Sequence, residues 1–246
     1  MFKKSILTLA VASIGFSVNA FAYEEGDIIV RGGAAKVSPD ASSGLIGIDT
    51  PALGNTGIGN VDVDSDTQLG LSVTYMFSDT LGLEVLGATP FEHDISLAAL
   101  NADIASTKHL PPTVTLNYHF MDSGSKFQPY VGMGLNYTAF FEEKVTPALD
   151  NAATFETLAA AAAGGPVGIT SVNNTKIELE DSTGVAIHAG FDYALTDSIG
   201  LNASYYWIDI DTKAEITTDS NAGKVKASVD VDIDPSVYML GISYKF

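Results

Sequence analysis

Apolar and polar residues alternate along much of this chain, and the pattern is clearest at its C-terminal end. From Tyr238 to Phe246 every second residue is large and apolar or aromatic, and the positions between them include glycine, serine and lysine. A period of two with one wholly apolar face is typical of a β-strand whose two faces meet different surroundings. The apolar face suits lipid, and the other face suits the interior of a narrow barrel.

The same alternation recurs in segments of the length that a tilted membrane strand needs, ~9–11 residues. In one segment the apolar positions run from Leu69 to Phe77, and in another from Val185 to Tyr193. The pattern predicts eight strands, at Asp27–Val37, Gln68–Phe77, Leu81–Thr89, Pro112–Phe120, Phe127–Phe140, Gly184–Ala194, Ile199–Asp209 and Ser236–Phe246.

The connections between these strands distinguish a barrel from a secreted β-sandwich. Short turns fall at residues 78–80, 121–126 and 196–198, and long polar connections fall at 38–67, 92–110, 142–183 and 210–235. Long and short connections alternate strictly, as expected when one membrane face carries tight turns and the other carries loops. A sandwich has no reason to keep that rhythm. We therefore predict an all-β fold, an eight-stranded antiparallel transmembrane β-barrel with short periplasmic turns and long extracellular loops. A short helix stopped by glycine is expected within residues 148–167.

Residues 1–22 have the features of a secretory signal peptide. Lys3 and Lys4 provide a positive start, residues 6–18 form a short apolar stretch, and Ala20-Phe21-Ala22 fits an A-x-A cleavage site. We expect this segment to be removed, so that residues 23–246 form a single barrel domain in the outer membrane of a Gram-negative bacterium.

The composition argues against several classes of function. The chain has 12 basic and 30 acidic residues, and removal of the two lysines in residues 1–22 leaves 10 against 30, a net charge of −20. Such an acidic chain is unsuited to binding nucleic acid. Cysteine is absent, so the sequence offers no disulfide, thiolate metal site or thiol nucleophile. We expect no cofactor and no bound metal.

Several stretches, in order along nearly the whole mature chain, carry a family resemblance. They are residues 88–91 (Ala-Thr-Pro-Phe), 109–113 (His-Leu-Pro-Pro-Thr), 125–127 with 129–138, 190–193 (Gly-Phe-Asp-Tyr), 207–212 and 233–246. Together they resemble the OmpW family of small outer-membrane barrels, although the connections around 44–60 and 145–174 are longer than usual for it. The resemblance implies an eight-stranded barrel that lets small, mostly hydrophobic molecules cross the outer membrane. The aromatic end at Phe246 resembles the terminal signal of such barrels, which implies the barrel-assembly machinery as a partner.

The alternation also assigns side chains to the interior, which in an eight-stranded barrel holds only side chains or one small ligand. The predicted interior set is Arg31, Ser72, Thr74, Glu84, Leu86, Asn117, His119, Tyr130, Asn136, His188, Asp192, Asn202, Tyr206, Met239 and Lys245. A general water-filled pore is therefore excluded.

Two kinds of interior site follow from this set. Arg31, Glu84, Asp192 and Lys245 lie toward the periplasmic end, and an unpaired buried charge costs several kcal/mol. We predict that they form a polar plug, with Arg31/Glu84 or Lys245/Asp192 as the pairs. Leu86 and Tyr206 lie above it and are candidates for a channel constriction, for which ordinary barrel packing is an equal alternative.

A plug would require solutes to leave sideways, and the sequence offers a place for this. Pro90 ends the third strand, and Pro111 and Pro112 begin the fourth. Proline has no N–H to donate, so the ladder between these strands must weaken near its outer end. This predicts a lateral opening for apolar solutes. The alternative is that the prolines only mark the two ends of the connection. Replacing Pro90 by alanine should then slow hydrophobic uptake.

The leading hypothesis is a channel that passes small hydrophobic molecules, with outer-membrane lipid and lipopolysaccharide as neighbours. One alternative is a structural or adhesive barrel whose acidic connections form the working surface. Another is a lipid A-modifying enzyme, for which His93, Asp94, Asp103, Ser106 and His109 share one connection. Their spacing matches no catalytic motif, so we expect no catalytic residues and treat these histidines as solvated.

Overall fold

The computed structural model describes residues 23–122 and 124–246, and this part of the chain is built mainly from β-strands. The predicted signal peptide, residues 1–22, lies outside the described residues. The elements in chain order are β1 (Ile28–Ser38), β2 (Ser42–Ser43), β3 (Gly47–Thr50), β4 (Gly54–Asn55), β5 (Val61–Val63), β6 (Asp66–Met76), β7 (Leu81–Ala88), β8 (Phe91–Leu97), β9 (Ala102–Leu110), β10 (Thr113–His119), β11 (Phe127–Val145), α1 (Ala152–Ala163), β12 (Val172–Leu179), β13 (Ser182–Ala194), β14 (Ile199–Ile208), β15 (Asp211–Ser220), β16 (Gly223–Asp232) and β17 (Ser236–Lys245).

Eight of these strands close into a barrel. β1 pairs with β6 on one side and with β17 on the other. The remaining antiparallel neighbours follow in the order β6, β7, β10, β11, β13, β14 and β17. The predicted eight-stranded antiparallel barrel is therefore confirmed, and most strand limits agree within two residues. The largest difference is β11, which continues beyond Phe140 to Val145.

The two faces of the barrel wall have opposite character, because successive residues of a strand point to opposite sides. The outer face is an apolar belt; Leu69 is 62% exposed and Leu240 is 67% exposed. The inner face is closely packed. Every member of the predicted interior set is buried except Lys245, which is half-buried. The predicted register is therefore confirmed in all eight strands, and the belt is that of a transmembrane barrel.

The long connections, predicted as extracellular loops, consist largely of regular strands. They form strands β2–β5, β8, β9, β12, β15 and β16, which together with helix α1 and the upper part of β11 we call the outer extension. β8 pairs with β5 and β9, and β9 also pairs with the upper part of β11, where Ala139 lies opposite Leu110. A second sheet has the order β12-β15-β16-β3-β4. These segments alternate in polarity like the barrel strands, so their exposed acids give a polar average although their other face is apolar.

The outer extension has a hydrophobic core of its own. Isoleucine, leucine and valine side chains from β3, β8, β15 and β16 pack with Phe155 and Leu158 of α1. The helix begins after Asn151, whose side chain accepts a hydrogen bond from the N–H of Ala153, and ends at Gly164 in the left-handed conformation. The predicted short helix is thus confirmed. Among the described residues, no helix is both long enough and apolar enough to span a bilayer.

The apolar belt should be sensitive to charge. Leu240 lies midway along β17 with its side chain outward, so Leu240→Arg should lower the free energy of unfolding in lipid vesicles by about 2–4 kcal/mol. Urea unfolding followed by tryptophan fluorescence measures this change. Asp230→Arg, on an exposed position of β16 in the outer extension, is the control and should change stability by less than about 0.5 kcal/mol. Equal effects of the two changes would contradict a lipid-facing belt.

Candidate functional site

The lower half of the barrel is filled by a network centred on Arg31. The guanidinium Nε and Nη2 contact the carboxylate of Asp192, with Nη2 at 2.8 Å from Oδ2. Nη1 lies 2.8 Å from Oε2 of Glu84 and donates to the hydroxyl of Thr74 at 2.6 Å. The same guanidinium lies over the ring of Tyr130, 4.8 Å from its centroid. One buried cation is thus held between two buried carboxylates, which satisfies charges that would be costly alone.

Further side chains complete this network, which we call the polar floor. Tyr206 donates its hydroxyl to Oε1 of Glu84 at 2.8 Å and stacks on His188 with ring centroids 4.6 Å apart. Asn202 donates to Oδ1 of Asp192 at 3.0 Å, and the hydroxyl of Tyr23 donates to Oδ2 at 2.6 Å. The polar floor therefore connects β1, β7, β13 and β14. Tyr23 also belongs to a small apolar cluster with Ile29, Met76 and Ala194.

The predicted plug residues fall into two groups. Arg31, Glu84 and Asp192 come together, and the Arg31/Glu84 contact is present. The alternative pairing of Lys245 with Asp192 is not the arrangement found. Asp192 is taken by Arg31, and Lys245 places Nζ 3.6 Å from the carboxylate of Asp27 at the periplasmic rim. Lys245 is the last residue of β17, so its side chain lies at the partly exposed rim and not beside Asp192.

Above the polar floor the interior becomes apolar. A cavity with about 350 Å³ of unfilled space, the upper-barrel cavity, is lined by Leu86 and Tyr206 together with Val37, Ile208 and Met239. Leu86 and Tyr206, predicted as a constriction, thus lie at one cavity, and Tyr206 is also anchored to the polar floor. Its ring is the boundary between the polar and apolar parts of the interior.

A larger apolar cavity lies where the barrel meets the outer extension. This outer cavity has about 690 Å³ of unfilled space, part of it open to solvent, and its lining is mostly aliphatic. Its wall combines barrel residues such as Phe140 with residues of the outer extension such as Ile95 and Ile216. Val37 lines both cavities, so the two adjoin.

The barrel wall is interrupted beside the upper-barrel cavity. The ladder between β7 and β10 ends at the pair Leu86 and Thr113, and pairing resumes between β8 and β9 at Phe91 and His109. Within residues 23–122 and 124–246, no backbone hydrogen bond joins 87–90 to 110–112. We call this interval the wall gap. Gly87 and Pro111 at its edges also line the upper-barrel cavity.

The three predicted prolines all border the wall gap, but in different ways. Pro112 accepts a hydrogen bond from the N–H of Tyr137 at 3.1 Å, so its backbone faces β11. Backbone groups alternate in direction along a strand, so Pro111 faces β7, where an ordinary residue would offer an N–H. Pro90 is exposed in the turn between β7 and β8. The missing donor of Pro111 therefore accounts most directly for the break.

The sequence interpretation missed the outer cavity and the two histidines within it. His93 and His109 are buried rather than solvated, because they lie on the inward face of paired strands β8 and β9. The signal was present in the alternation of Phe91, His93 and Ile95 with acids. Gly87 was also missed, since one glycine at a strand end carries no distinctive pattern.

The same strand geometry bears on the enzyme hypothesis. Asp94 and Ser106 pair across β8 and β9 and occupy the outward face, opposite to His93 and His109. A catalytic serine must be within hydrogen-bond reach of its base. In the described part of the chain, Ser106 makes no hydrogen bond to either histidine. The arrangement gives no support to a lipid-modifying enzyme.

Three carboxylates at the outer rim of the barrel could, by their spacing, hold a metal ion. Asp209, Asp211 and Asp234 have oxygen atoms within 4.8 Å of one another. Partial burial, and then the charges of Asp209, Asp232 and Asp234, raise the pKa of Asp211. Clustered exposed acids show this behaviour without an ion, so the cluster adds no function to the site.

A closed barrel with an apolar belt, short turns at one end and an elaborated opposite end defines an integral outer-membrane barrel protein. The profile of the OmpW family matches residues 24–162 and 166–246. The chain therefore belongs to the OmpW family, and it is a protein of the bacterial outer membrane.

Individual relatives agree over the full length. The chain is 41% identical to Outer membrane protein W of Vibrio cholerae over 249 residues, which cover 99% of this chain and 100% of that protein. It is 37% identical to Outer membrane protein W of Escherichia coli over 246 residues, which cover all of both chains. The crystal structure of the outer membrane protein OprG from Pseudomonas aeruginosa superposes with a TM-score of 0.78 at 41% identity, covering 92% of this chain and 99% of OprG.

Removal of the central cation should destabilise the polar floor. Arg31→Met leaves two buried carboxylates without their counter-charge and should lower the free energy of unfolding by about 3–5 kcal/mol. The triple change Arg31→Met, Glu84→Gln and Asp192→Asn removes all three charges and should recover most of that loss. Urea unfolding in lipid vesicles measures both. A triple variant as unstable as the single one would contradict a floor held by charge compensation.

Proposed function

We propose that this protein is an outer-membrane channel for small hydrophobic molecules, which enter the outer cavity and leave sideways into the membrane through the wall gap. The observation that carries the proposal is the position of the two apolar cavities. They share Val37, and the second is bordered by Gly87 and Pro111 at the break in the barrel wall.

The polar floor supports a lateral rather than a straight path. Arg31, Glu84 and Asp192 are each about 1% exposed or less and bond to one another across the barrel. An apolar solute moving toward the periplasm would have to separate these charges, which costs several kcal/mol. Movement through the wall gap instead brings the solute into hydrocarbon, where its transfer is favourable.

The wall gap is also placed at a suitable depth. Val85 and Val114, just below it on β7 and β10, are exposed on the apolar belt. Phe91 and His109 pair just above it, at the transition from barrel to outer extension. A solute passing between these levels would meet the outer part of the lipid layer. An unpaired stretch of backbone is tolerated at such a depth only where it borders protein or a cavity, as it does here.

Filling the wall gap should slow transport. A Cβ added to Gly87 would meet no other atom within 4 Å, so Gly87→Leu should fold normally while covering part of the opening. We expect several-fold slower uptake of radiolabelled n-octane by Gram-negative cells that lack their own copy and produce the variant.

A matched control tests whether the position of the added side chain, and not its size, causes the effect. Gly32→Leu adds the same side chain to the outer face of β1, where a Cβ comes no closer than 3.7 Å to Leu71 and the ladder is continuous. This variant should take up n-octane like the wild type. Equal uptake by Gly87→Leu and Gly32→Leu would reject the lateral path. Equal uptake with and without the gene would favour a structural or adhesive barrel.

Restoring a backbone donor should have a related effect. Pro111→Ala supplies the N–H that faces β7, and one additional hydrogen bond of about 1 kcal/mol would favour the closed wall by about fivefold. We therefore expect n-octane uptake to fall by up to that factor without loss of folded protein. Pro90→Ala should act in the same direction but less strongly, since Pro90 lies in the turn.

Pro129→Ala is the control for this pair of changes. Pro129 lies in β11 toward the periplasmic end, where its carbonyl accepts from the N–H of Phe120 at 3.1 Å. The change should leave uptake unaltered. If Pro111→Ala and Pro90→Ala also leave uptake unaltered, the prolines do not control the opening.

A further inference from the structure

Two histidines lie in the mostly apolar wall of the outer cavity, whose other polar lining residues are Thr107, Thr138 and Thr212. His93 is 2% exposed and His109 is 5% exposed. Their rings stack with centroids 4.9 Å apart and planes inclined by 12°, and Phe91 stacks on His109 at 5.5 Å. Most of the surrounding wall is aliphatic, as at Ile95 and Ile216. Buried polar atoms are usually hydrogen-bonded, so this pair requires an explanation.

One contact fixes the position of a hydrogen on His93. Its Nδ1 lies 2.6 Å from the backbone oxygen of Asp64. A carbonyl oxygen only accepts, so Nδ1 must carry a hydrogen, and Nε2 is an acceptor when the ring carries that single hydrogen. Nε2 of His93 and Nε2 of His109 are buried, and neither makes a hydrogen bond within the described chain. Burial, with a smaller effect of His93, lowers the pKa of His109 to about 3. His109 is therefore neutral near pH 7.

The geometry argues against a metal ion between the two rings. A metal lies close to the plane of each imidazole that binds it, in the direction of the nitrogen lone pair. Two planes inclined by only 12° do not meet near the rings. The pair is therefore better suited to a hydrogen-bonded ligand than to a shared ion.

The chemistry of His93 also restricts the ligand. A carboxylate only accepts hydrogen bonds, so it cannot satisfy an acceptor nitrogen. An ammonium group could donate, but burying a cation among isoleucine and valine side chains is costly. A neutral hydroxyl group donates and can enter an apolar cavity at a smaller cost.

We propose that the outer cavity binds small neutral apolar molecules that carry one hydroxyl group, and that this hydroxyl donates to Nε2 of His93. The inference rests on the proposed function, because the outer cavity is the first part of the proposed path. It adds a class of solute, the aliphatic alcohols and related hydroxylated molecules, and a residue that selects them over plain hydrocarbons.

Nuclear magnetic resonance of the protein in lipid nanodiscs can test this directly. The chain has four histidines, so ¹⁵N labelling of histidine gives few signals, and His119 and His188 of the lower barrel are internal references. Labelled isoleucine methyl groups, including those of Ile95 and Ile216, report occupation of the cavity. The ligands are 1-octanol, n-octane and octanoate, in detergent-free discs.

With 1-octanol we expect a shift of the Nε2 signal of His93 together with the Ile95 and Ile216 methyl signals. With n-octane only the methyl signals should move, and octanoate should produce neither change. The signals of His119 and His188 should stay in place with all three ligands.

Two substitutions separate the acceptor from the rest of the ring. His93→Asn can keep a donor toward the carbonyl of Asp64 but lacks an atom at the Nε2 position, and His93→Gln places an amide there. We expect His93→Asn to weaken 1-octanol binding about three- to tenfold, the range for one hydrogen bond, with n-octane binding unchanged. His93→Gln should stay near the wild-type affinity.

The possible failures are distinguishable. Methyl shifts with 1-octanol and n-octane alike, without a response of His93, would overturn this inference and leave the proposed channel intact. A His93 signal that responds only to added Zn²⁺ would overturn it in favour of a metal site. If neither ligand moves the methyl signals, the outer cavity takes no apolar solute, and both proposals fail.

Discussion

The structure depends on one constraint, the absence of hydrogen-bonding solvent in the hydrocarbon of the bilayer. Each backbone N–H and C=O at that depth must be paired within the protein, so strands can cross only as a closed ladder. The pairing of β1 with β17 closes this ladder and removes its edges. Successive residues of each strand then face the lipid and the interior in turn, so the same constraint determines which side chains are apolar and which are enclosed. The wall gap beside Pro111 is a local exception, because the backbone there lacks a partner across the wall. It borders the apolar upper-barrel cavity.

The interior divides along its length for a related reason. An eight-stranded barrel has room for side chains and little else, so charges placed inside must neutralise one another. Arg31 does this with Glu84 and Asp192, and the result is a rigid polar floor. Above Tyr206, apolar side chains such as Leu86 and Val37 line the upper-barrel cavity. The boundary at Tyr206 therefore separates the polar floor from the part of the interior that contains the upper-barrel cavity.

The outer extension forms much of the wall of the outer cavity. β8, β9, β12, β15 and β16 continue the alternation of the barrel, with acids outside and isoleucine or valine inside. The acidic outer surface accounts for much of the net charge, whereas the inner surface lines the outer cavity. His93 and His109 place polar nitrogen atoms in that mostly apolar inner surface.

The sequence by itself determined the eight barrel strands, their antiparallel order, the inward set from Arg31 to Met239 and the prolines that border the wall gap. These follow from a period of two and from the chemistry of proline, which are local properties. It did not determine that Asp192 pairs with Arg31 rather than with Lys245, because both cations lie near the same end and only the closed barrel fixes which one reaches. The outer cavity and the burial of His93 and His109 were likewise decided by tertiary structure. Polar averages hide an apolar face, and a cavity exists only where faces from distant segments fail to fill the space between them.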